Sequence, residues 1–473
     1  MGTNRRIHKR LSGSSAAGCA LSMLVAAILF SVRVRGADDP ALFPLIFNNA
    51  SGVHRTLSTA GPIDTANPFF QDLGTNGRTC FTCHRPEQAW TVTPPELRER
   101  FRLTRGLDPI FRTNDGSNCE GADVSSIGAR RAAFSLLLSK GLIRVELHVP
   151  ANAEFTIVNV DDPYGCGAPF TEASMYRRPL PSTNLPFLST VMWDGRETVA
   201  GQSIRADLLT QASDATTGHA QGAPPAAAQL EQIVDFELSL FTAQTNSHGA
   251  GSLSARRARG GPAFLSRQPF CIGINDPLNV LPVMPGTCQL SSGGLNPTVF
   301  TLFADWLGDP SPARQSIVRG EEIFNHRTFV IDNVAGLNGS PADPVPGPIQ
   351  TGTCTICHDT PNAGDHSIAM PLNIGVADAA RRTPDMPLYT LQNNATGDVL
   401  QTTDPGRAMV TGRWSDVGKF KGPVLRAMAA RGPYFHNGSA ATLEEAVDFY
   451  NERFNIGLSA QDKADLVAFL KAL

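Results

Sequence analysis

The chain lacks a surplus of positive charge. Across 473 residues, 40 Lys and Arg face 43 Asp and Glu, a net of −3. That balance argues against nucleic acid and against anionic membrane surfaces as partners. After one apolar run near its start, it also lacks any stretch long enough to span a bilayer. Cysteine is scarce, nine in all, as is histidine with ten. Each can therefore be asked what it is for.

Four of the nine cysteines answer at once. Cys80-Phe81-Thr82-Cys83-His84 and Cys354-Thr355-Ile356-Cys357-His358 are both C-x-x-C-H runs, the pattern for covalent attachment of a c-type haem. Two thiols three positions apart reach the two vinyl groups of one porphyrin. The next residue then lies under the iron, and its imidazole becomes the proximal ligand. A zinc half-site or a redox dithiol is the rival reading of a single run. Two runs in one chain, both ending in His, point to a di-haem protein with His84 and His358 on the metals.

The start of the chain predicts export. Arg5, Arg6, Lys9 and Arg10 precede a nearly all-apolar run over 16–32, the layout of a secretory signal. Cleavage is expected near Gly36-Ala37, and an uncleaved anchor is the alternative. Without residues 1–36, 34 basic residues face 43 acidic ones. A charge near −9 suits a basic partner or a neutral small substrate. Cys19 falls in the signal. In an oxidising compartment the remaining four cysteines can pair. Of three formal pairings, Cys119–Cys166 and Cys271–Cys288 are expected, because each lies within one inserted segment.

In chain order, 37–64 reads as an extended lead-in, 65–245 as an N-terminal haem domain, 246–311 as a loop-rich connector and 312–473 as a C-terminal haem domain. Helices are expected over 94–102, over 129–140 ending at Gly141, over 199–212 and over 229–244. Alternating runs at 142–148 and 154–160 predict a β-hairpin across Pro150-Ala151-Asn152. A helix opens at Pro312. Thr442-Leu443-Glu444-Glu445 and Ser459-Ala460-Gln461-Asp462 are capping boxes for two closing helices. In the first of these Tyr450 shares the apolar face with Leu443, Ala446, Val447 and Phe454. The fold class is mainly α, two cytochrome c-like domains with loop-rich insertions and one small hairpin.

Trp193-Asp194-Gly195-Arg196, Phe420-Lys421-Gly422-Pro423, Leu425-Arg426, Pro433-Tyr434-Phe435-His436-Asn437-Gly438 and Thr442-Leu443-Glu444 resemble motifs of the bacterial di-haem cytochrome c peroxidase family, including its MauG-like branch. The resemblance covers roughly 65–245 and 312–473. It implies a peroxide-binding N-terminal haem, an electron-relaying C-terminal haem, and a tryptophan between them, matched by Trp193. Fourteen residues beyond the position of His436, where family peroxidases place a methionine ligand and the MauG-like branch a tyrosine, stands Tyr450. Tyrosinate lowers an iron potential and methionine raises it. Met428, Met409 and Met370 compete for the role. His436 is expected near the relay haem but off its iron.

At the peroxide haem, O–O cleavage calls for a base and a polar group. Family members supply Gln and Glu. Here Gln202 falls one residue short of the expected Gln, and no Glu stands where the second is expected. His219 is the nearest suitable group, as base or as a displaceable sixth ligand. Gln211 and His148 are weaker candidates, and His326 and His366 have no assigned role. Family members also hold calcium between the domains. Its ligand is not traceable here, since Arg178 stands about where an Asn is expected, so calcium is not assigned.

The expected function is a periplasmic peroxidase that reduces hydrogen peroxide with electrons from a small cytochrome c or cupredoxin, as a monomer or a homodimer. Oxidation of an organic or protein substrate, and plain electron carriage, are the alternatives.

Overall fold

The computed structural model describes residues 45–270, 273–275, 296–338 and 351–473. The signal segment, Cys19 and the Cys271–Cys288 pair lie outside these residues.

The lead-in is sheet, not merely extended chain. β1 (Leu45–Asn49) and β2 (Gly52–Ser58) form a hairpin. Gly52 at the turn has φ +146, and a Cβ there would meet the Asn246 carbonyl at 2.1 Å, so only glycine fits. The first C-x-x-C lies on the short helix α1 (Cys80–Cys83). α2 (Pro94–Thr104) follows with proline at its start, as expected.

The helix expected over 129–140 is two, α3 (Ile127–Ala133) and α4 (Ser135–Lys140), broken at Phe134. Asn118 explains the break: its amide Nδ2 donates to the Ala132 carbonyl and the Ser135 hydroxyl, taking an acceptor the helix would use. Gly141 caps α4 in the left-handed conformation, as predicted.

The predicted hairpin does not form. β3 (Ile143–His148) pairs with β5 (Glu172–Arg177), whereas β4 (Phe155–Asp161) pairs with a strand more than 200 residues away. The link between β3 and β4 is held from outside, with Val149 N–H donating to Thr171 and Glu154 N–H to Gly412. β4 buries Phe155 and Ile157 against Tyr389, Leu391 and Met409, a better apolar match than β3, which carries the buried Arg144.

α5 (Ile204–Gly218) starts later than expected and runs further. Ser203 caps it, and Asp207 reaches back to the Val199 N–H. α6 (Ala227–Leu238) ends at Ser239, and the rest of the expected helix is β6 (Leu240–Ser247). There the β-branched and aromatic residues pair with β2, and β7 (Gly251–Ser252) completes a four-stranded sheet. After α7 (Pro262–Leu265), the connector supplies Val299, Phe300, Leu302, Phe303 and Trp306 to the C-terminal core, so its end is packed structure.

α8 (Pro312–His326), β8 (Phe329–Val330) and β9 (Thr351–Gly352) precede the second haem motif. β10 (Leu388–Asn393) and β11 (Val399–Thr402) form a hairpin whose first strand takes β4. α9 (Ala408–Thr411), α10 (Leu443–Arg453) and α11 (Ala460–Ala472) end the chain. Thr442 and Ser459 cap the last two as predicted. Four small sheets thus tie the helices together among the described residues, where one hairpin was expected.

The C-terminal core packs α8 along α11, with Phe300, Phe324 and Phe469 between them. A second core, around Phe69, Trp90, Phe187, Leu208 and Phe236, lies beside the first haem motif. Ala363 and Val424 from the C-terminal half pack into it, so this core is built from both halves of the chain.

Candidate functional site

Each haem motif opens on a cavity. Cys80, Cys83 and His84 line one, and Cys354, Cys357 and His358 line the other. His84 sets its Nδ1 3.0 Å from the Trp90 carbonyl, six residues on, and His358 sets its Nδ1 2.6 Å from the Gly364 carbonyl, also six residues on. A carbonyl only accepts, so Nδ1 carries the proton and Nε2 keeps its lone pair for a metal. Burial holds both rings neutral, drawing His84 down to about 4 and His358 in the same direction.

The thiols separate the rival readings. Burial pushes Cys83 up to about 11 and Cys354 and Cys357 to about 12. A redox dithiol needs the opposite shift. Among the described residues no group of three or more His, Cys, Asp or Glu is placed to hold a metal ion alone.

Buried cations complete the fit to haem. Arg426 is 1% exposed and lines the N-terminal cavity, with one bond, to the Asn362 carbonyl, while Nε and Nη2 have no partner. Arg431 lines both cavities, and its Nε also lacks a partner. Burial draws Arg426 down to about 9, Arg431 to about 10 and Lys421 to about 8. Desolvated guanidinium without an anion costs several kcal/mol, on the order of a broken buried pair. Haem propionates are anions of the right kind, so these residues fit the group.

Trp193 lies in the wall of both cavities. Its indole Nε1 donates to the Arg178 carbonyl at 2.8 Å, and its own carbonyl accepts from Lys421 N–H at 2.9 Å. Asp194 pairs with Arg177, which also holds Asp404 at 2.8 Å, so the Trp-Asp-Gly-Arg run is tied to the C-terminal half. His436 stacks on Phe420 with centroids 3.8 Å apart and presents an edge to Trp193 at 6.3 Å.

Tyr450 and Met428 both line the C-terminal cavity. The Met428 sulfur accepts from Arg431 Nη2 at 3.1 Å, whereas burial is the main influence on the Tyr450 phenol, raising its pKa. Met409 packs in the separate core around Tyr389, and Met370 lines neither cavity. At the N-terminal cavity, His219 and Gln211 line the wall. Gln202 does not: it lies exposed in the turn before α5, because the helix begins only at Ile204. His148 points away as well, its side chain 85% exposed beside Glu172, since β3 pairs with β5 rather than folding back. His326 sits 3.7 Å from Glu322, and His366 lies 3.2 Å from Asp359.

Three polar residues at the N-terminal cavity escaped sequence reading: Arg78, Asp115 and Glu237. Glu237 had a signal, a carboxylate among Ile233, Val234 and Phe236 on an apolar helix. Its Oε2 has no partner, and burial raises it to about 7. Asp115 sits in a loop and had none.

The thiols, imidazoles and buried cations of the two cavities fit covalently bound haem. No family model matches the chain. Among curated proteins it is 34% identical over 132 residues to cytochrome-c peroxidase IdrP2 of Denitromonas iodatirespirans, covering 26% of this chain and 36% of that one. It is 42% identical over 76 residues to the cytochrome c551 peroxidase of Nitrosomonas europaea, covering 15% and 23%. The chain thus spans about a third or less of the length of the curated relatives it matches. A solved structure, a MauG-like protein associated with microbial copper homeostasis, aligns over 86% of each chain at 18% identity with a TM-score of 0.38, too loose a likeness to argue from. The curated relatives bear out the resemblance to the cytochrome c peroxidases, which are oxidoreductases. No described helix is long and apolar enough to cross a membrane.

Proposed function

We propose that the protein is a periplasmic di-haem peroxidase that reduces hydrogen peroxide with electrons from a small redox protein. The observation that carries this is Trp193, whose indole is in the wall of both cavities. The reading assigns covalent haem c to Cys80 and Cys83 and to Cys354 and Cys357, in two cytochrome c-like domains over 65–245 and 312–473. Bound haem supplies the redox chemistry, taking H2O2, two electrons and two protons to two waters.

The chain does the rest. His84 and His358 present Nε2 to the metals, with Nδ1 fixed by backbone carbonyls. Arg426 and Arg431 offer unpaired N–H groups to propionates. Tyr450 would be the second side chain to hold the group in the C-terminal cavity, because Met428 is engaged by Arg431. His219 is the proton acceptor proposed at the N-terminal cavity. Steady-state turnover of peroxide with a reduced small cytochrome or cupredoxin tests the whole; absence of turnover at every prior redox poise rejects it.

A second reading is oxidation of an organic or protein substrate. It is favoured by Tyr450 in the C-terminal cavity and by the missing Glu near Ser213. An oxidised state that persists after peroxide with no donor present distinguishes it from the first.

A further inference from the structure

α5 ends at the N-terminal cavity, and its cap residue is held on several sides. The His219 carbonyl accepts from Asn76 Nδ2 at 2.8 Å and Arg78 Nη1 at 3.2 Å. Its ring Nδ1 lies 2.5 Å from Asp115 Oδ2. The other oxygen of Asp115 takes Arg78 Nη1 at 2.5 Å, and Arg78 also reaches the Pro109 and Ile110 carbonyls, each at 2.8 Å. Arg78, Asp115 and His219 all line the cavity beside His84.

We infer that Asp115 is the positioning residue for a distal base: it binds the Nδ1–H of His219 and so leaves Nε2 as the atom that takes a proton from an incoming ligand. The inference rests on the peroxidase reading and supplies a base where the expected carboxylate is missing. The reasoning is one of tautomers. Burial opposes charge on Asp115, but the bond to His219 and the Arg78 charge outweigh it and hold the carboxyl below its usual range. An ionised carboxylate only accepts. In its neutral form the imidazole facing it puts its proton on Nδ1, which leaves the lone pair on Nε2. With peroxide, an O–H proton moves to Nε2 and leaves HOO−. The same proton then returns to the departing oxygen, which with the hydrogen it already carries leaves as water; two electrons and two further protons, supplied from outside, turn the remaining oxygen into the second water.

Asp115 comes from the inserted segment, four residues before Cys119, which is bonded to Cys166. Arg144 N–H holds the Asp115 carbonyl at 2.6 Å, and the Arg144 guanidinium takes the Thr113 and Asn114 carbonyls. The insertion thus does more than cover a cavity. It delivers a charged group to it.

Hydrogen cyanide is the probe, since it must shed a proton to bind ferric iron and needs no electron. Stopped-flow capture is measured on holoprotein of matched haem content for wild type, His219→Gln, Asp115→Asn, Asp115→Glu and the double variant His219→Gln/Asp115→Asn. The two single neutral variants should each slow capture about 100-fold, the lower range for a lost general base. Asp115→Glu, which keeps the charge, should recover to within about tenfold of wild type. In the His219→Gln background Asp115→Asn should change the rate less than about twofold, because the two act as one unit. A merely structural Asp115 would cost the same factor with or without His219, and that result overturns the inference. So does wild-type capture by His219→Gln, whose partly exposed ring can be replaced without a buried gap. Loss of a low-spin ferric signal on His219→Gln would make His219 an iron ligand and also overturn it. None of these outcomes depends on turnover, so the base can fail while the Trp193 relay stands.

Discussion

Trp193 and Lys421 are joined through their backbones, the Lys421 N–H donating to the Trp193 carbonyl at 2.9 Å. Lys421 Nζ returns to the Thr190 carbonyl at 2.9 Å. A residue from the C-terminal half is thereby clamped to both ends of the segment that carries the indole. The position of Trp193 against both cavities is a property of the two halves together.

Trp193→Phe keeps an aromatic ring and loses the indole. Peroxide turnover with a donor protein is expected to fall about tenfold or more in kcat with KM little changed, the pattern of an interaction that acts after binding. Haem content and hydrogen cyanide capture should stay at wild-type values. Equal losses in capture and turnover would instead indicate damage to the N-terminal cavity.

Tyr450→Met tests the axial assignment. If Tyr450 holds the C-terminal iron, methionine in its place raises that midpoint by on the order of 0.1 V, within the range axial ligands command. Redox titration followed in the Soret band measures it. An unchanged potential in both Tyr450→Met and Tyr450→Phe would leave Met428 as the ligand.

Glu237 gives the chain a pH dependence of known sign. Its folded value is raised by burial from 4.5 to about 7, so between those values the folded state binds more protons than the unfolded one. Stability is full below pH 4.5 and falls as pH rises through 7, by up to roughly 3 kcal/mol. Glu237→Gln should flatten the slope and exceed wild type at pH 8, read as the urea midpoint of holoprotein at pH 5 and pH 8. Parallel slopes in the two proteins would reject the assignment.

Arg178 is buried with its guanidinium among three backbone carbonyls, Val92 at 2.8 Å, Lys140 at 3.0 Å and Arg431 at 3.0 Å. These come from both halves of the chain, and the cation they surround is a side chain. Chelators should therefore leave the melting temperature of wild type unchanged. Arg178→Met should lower it by several degrees, roughly the loss of two or three buried bonds, with no rescue by added calcium. A chelator-sensitive wild type would point to a bound metal instead.

Gly320 on α8 faces α11 so closely that a Cβ would meet the Asp465 carbonyl at 2.0 Å and Phe469 Cβ at 2.6 Å. Gly320→Ala gains helix propensity but must push the helices apart. A net loss of roughly 1–3 kcal/mol is expected, seen as a lower melting temperature with both haems retained. A neutral or stabilised variant would show that the crossing is looser.

Much was legible beforehand where chemistry is local. A C-x-x-C-H run brings its own thiols and imidazole together on one turn, and caps such as Ser459 act on N–H groups three residues away. Cys119–Cys166 was also foreseen, because both cysteines fall within one inserted segment. The hairpin failed for the opposite reason. Alternation over 142–148 and 154–160 marks two strands but carries no address for their partners, and β4 found β10 through apolar surface far along the chain. Gln202 and His148 failed with their elements, one by a helix start and one by a strand pairing.

Residue spacing alone put two thiols and an imidazole on one turn in each motif, since that arrangement needs nothing distant. Only tertiary structure decided what surrounds it. Asp115 meets His219 across 104 residues, Arg426 reaches the opposite cavity, and Trp193 is shared between two. Those meetings depend on how cores pack and on which buried charge finds a partner, and such terms have no signature along the chain.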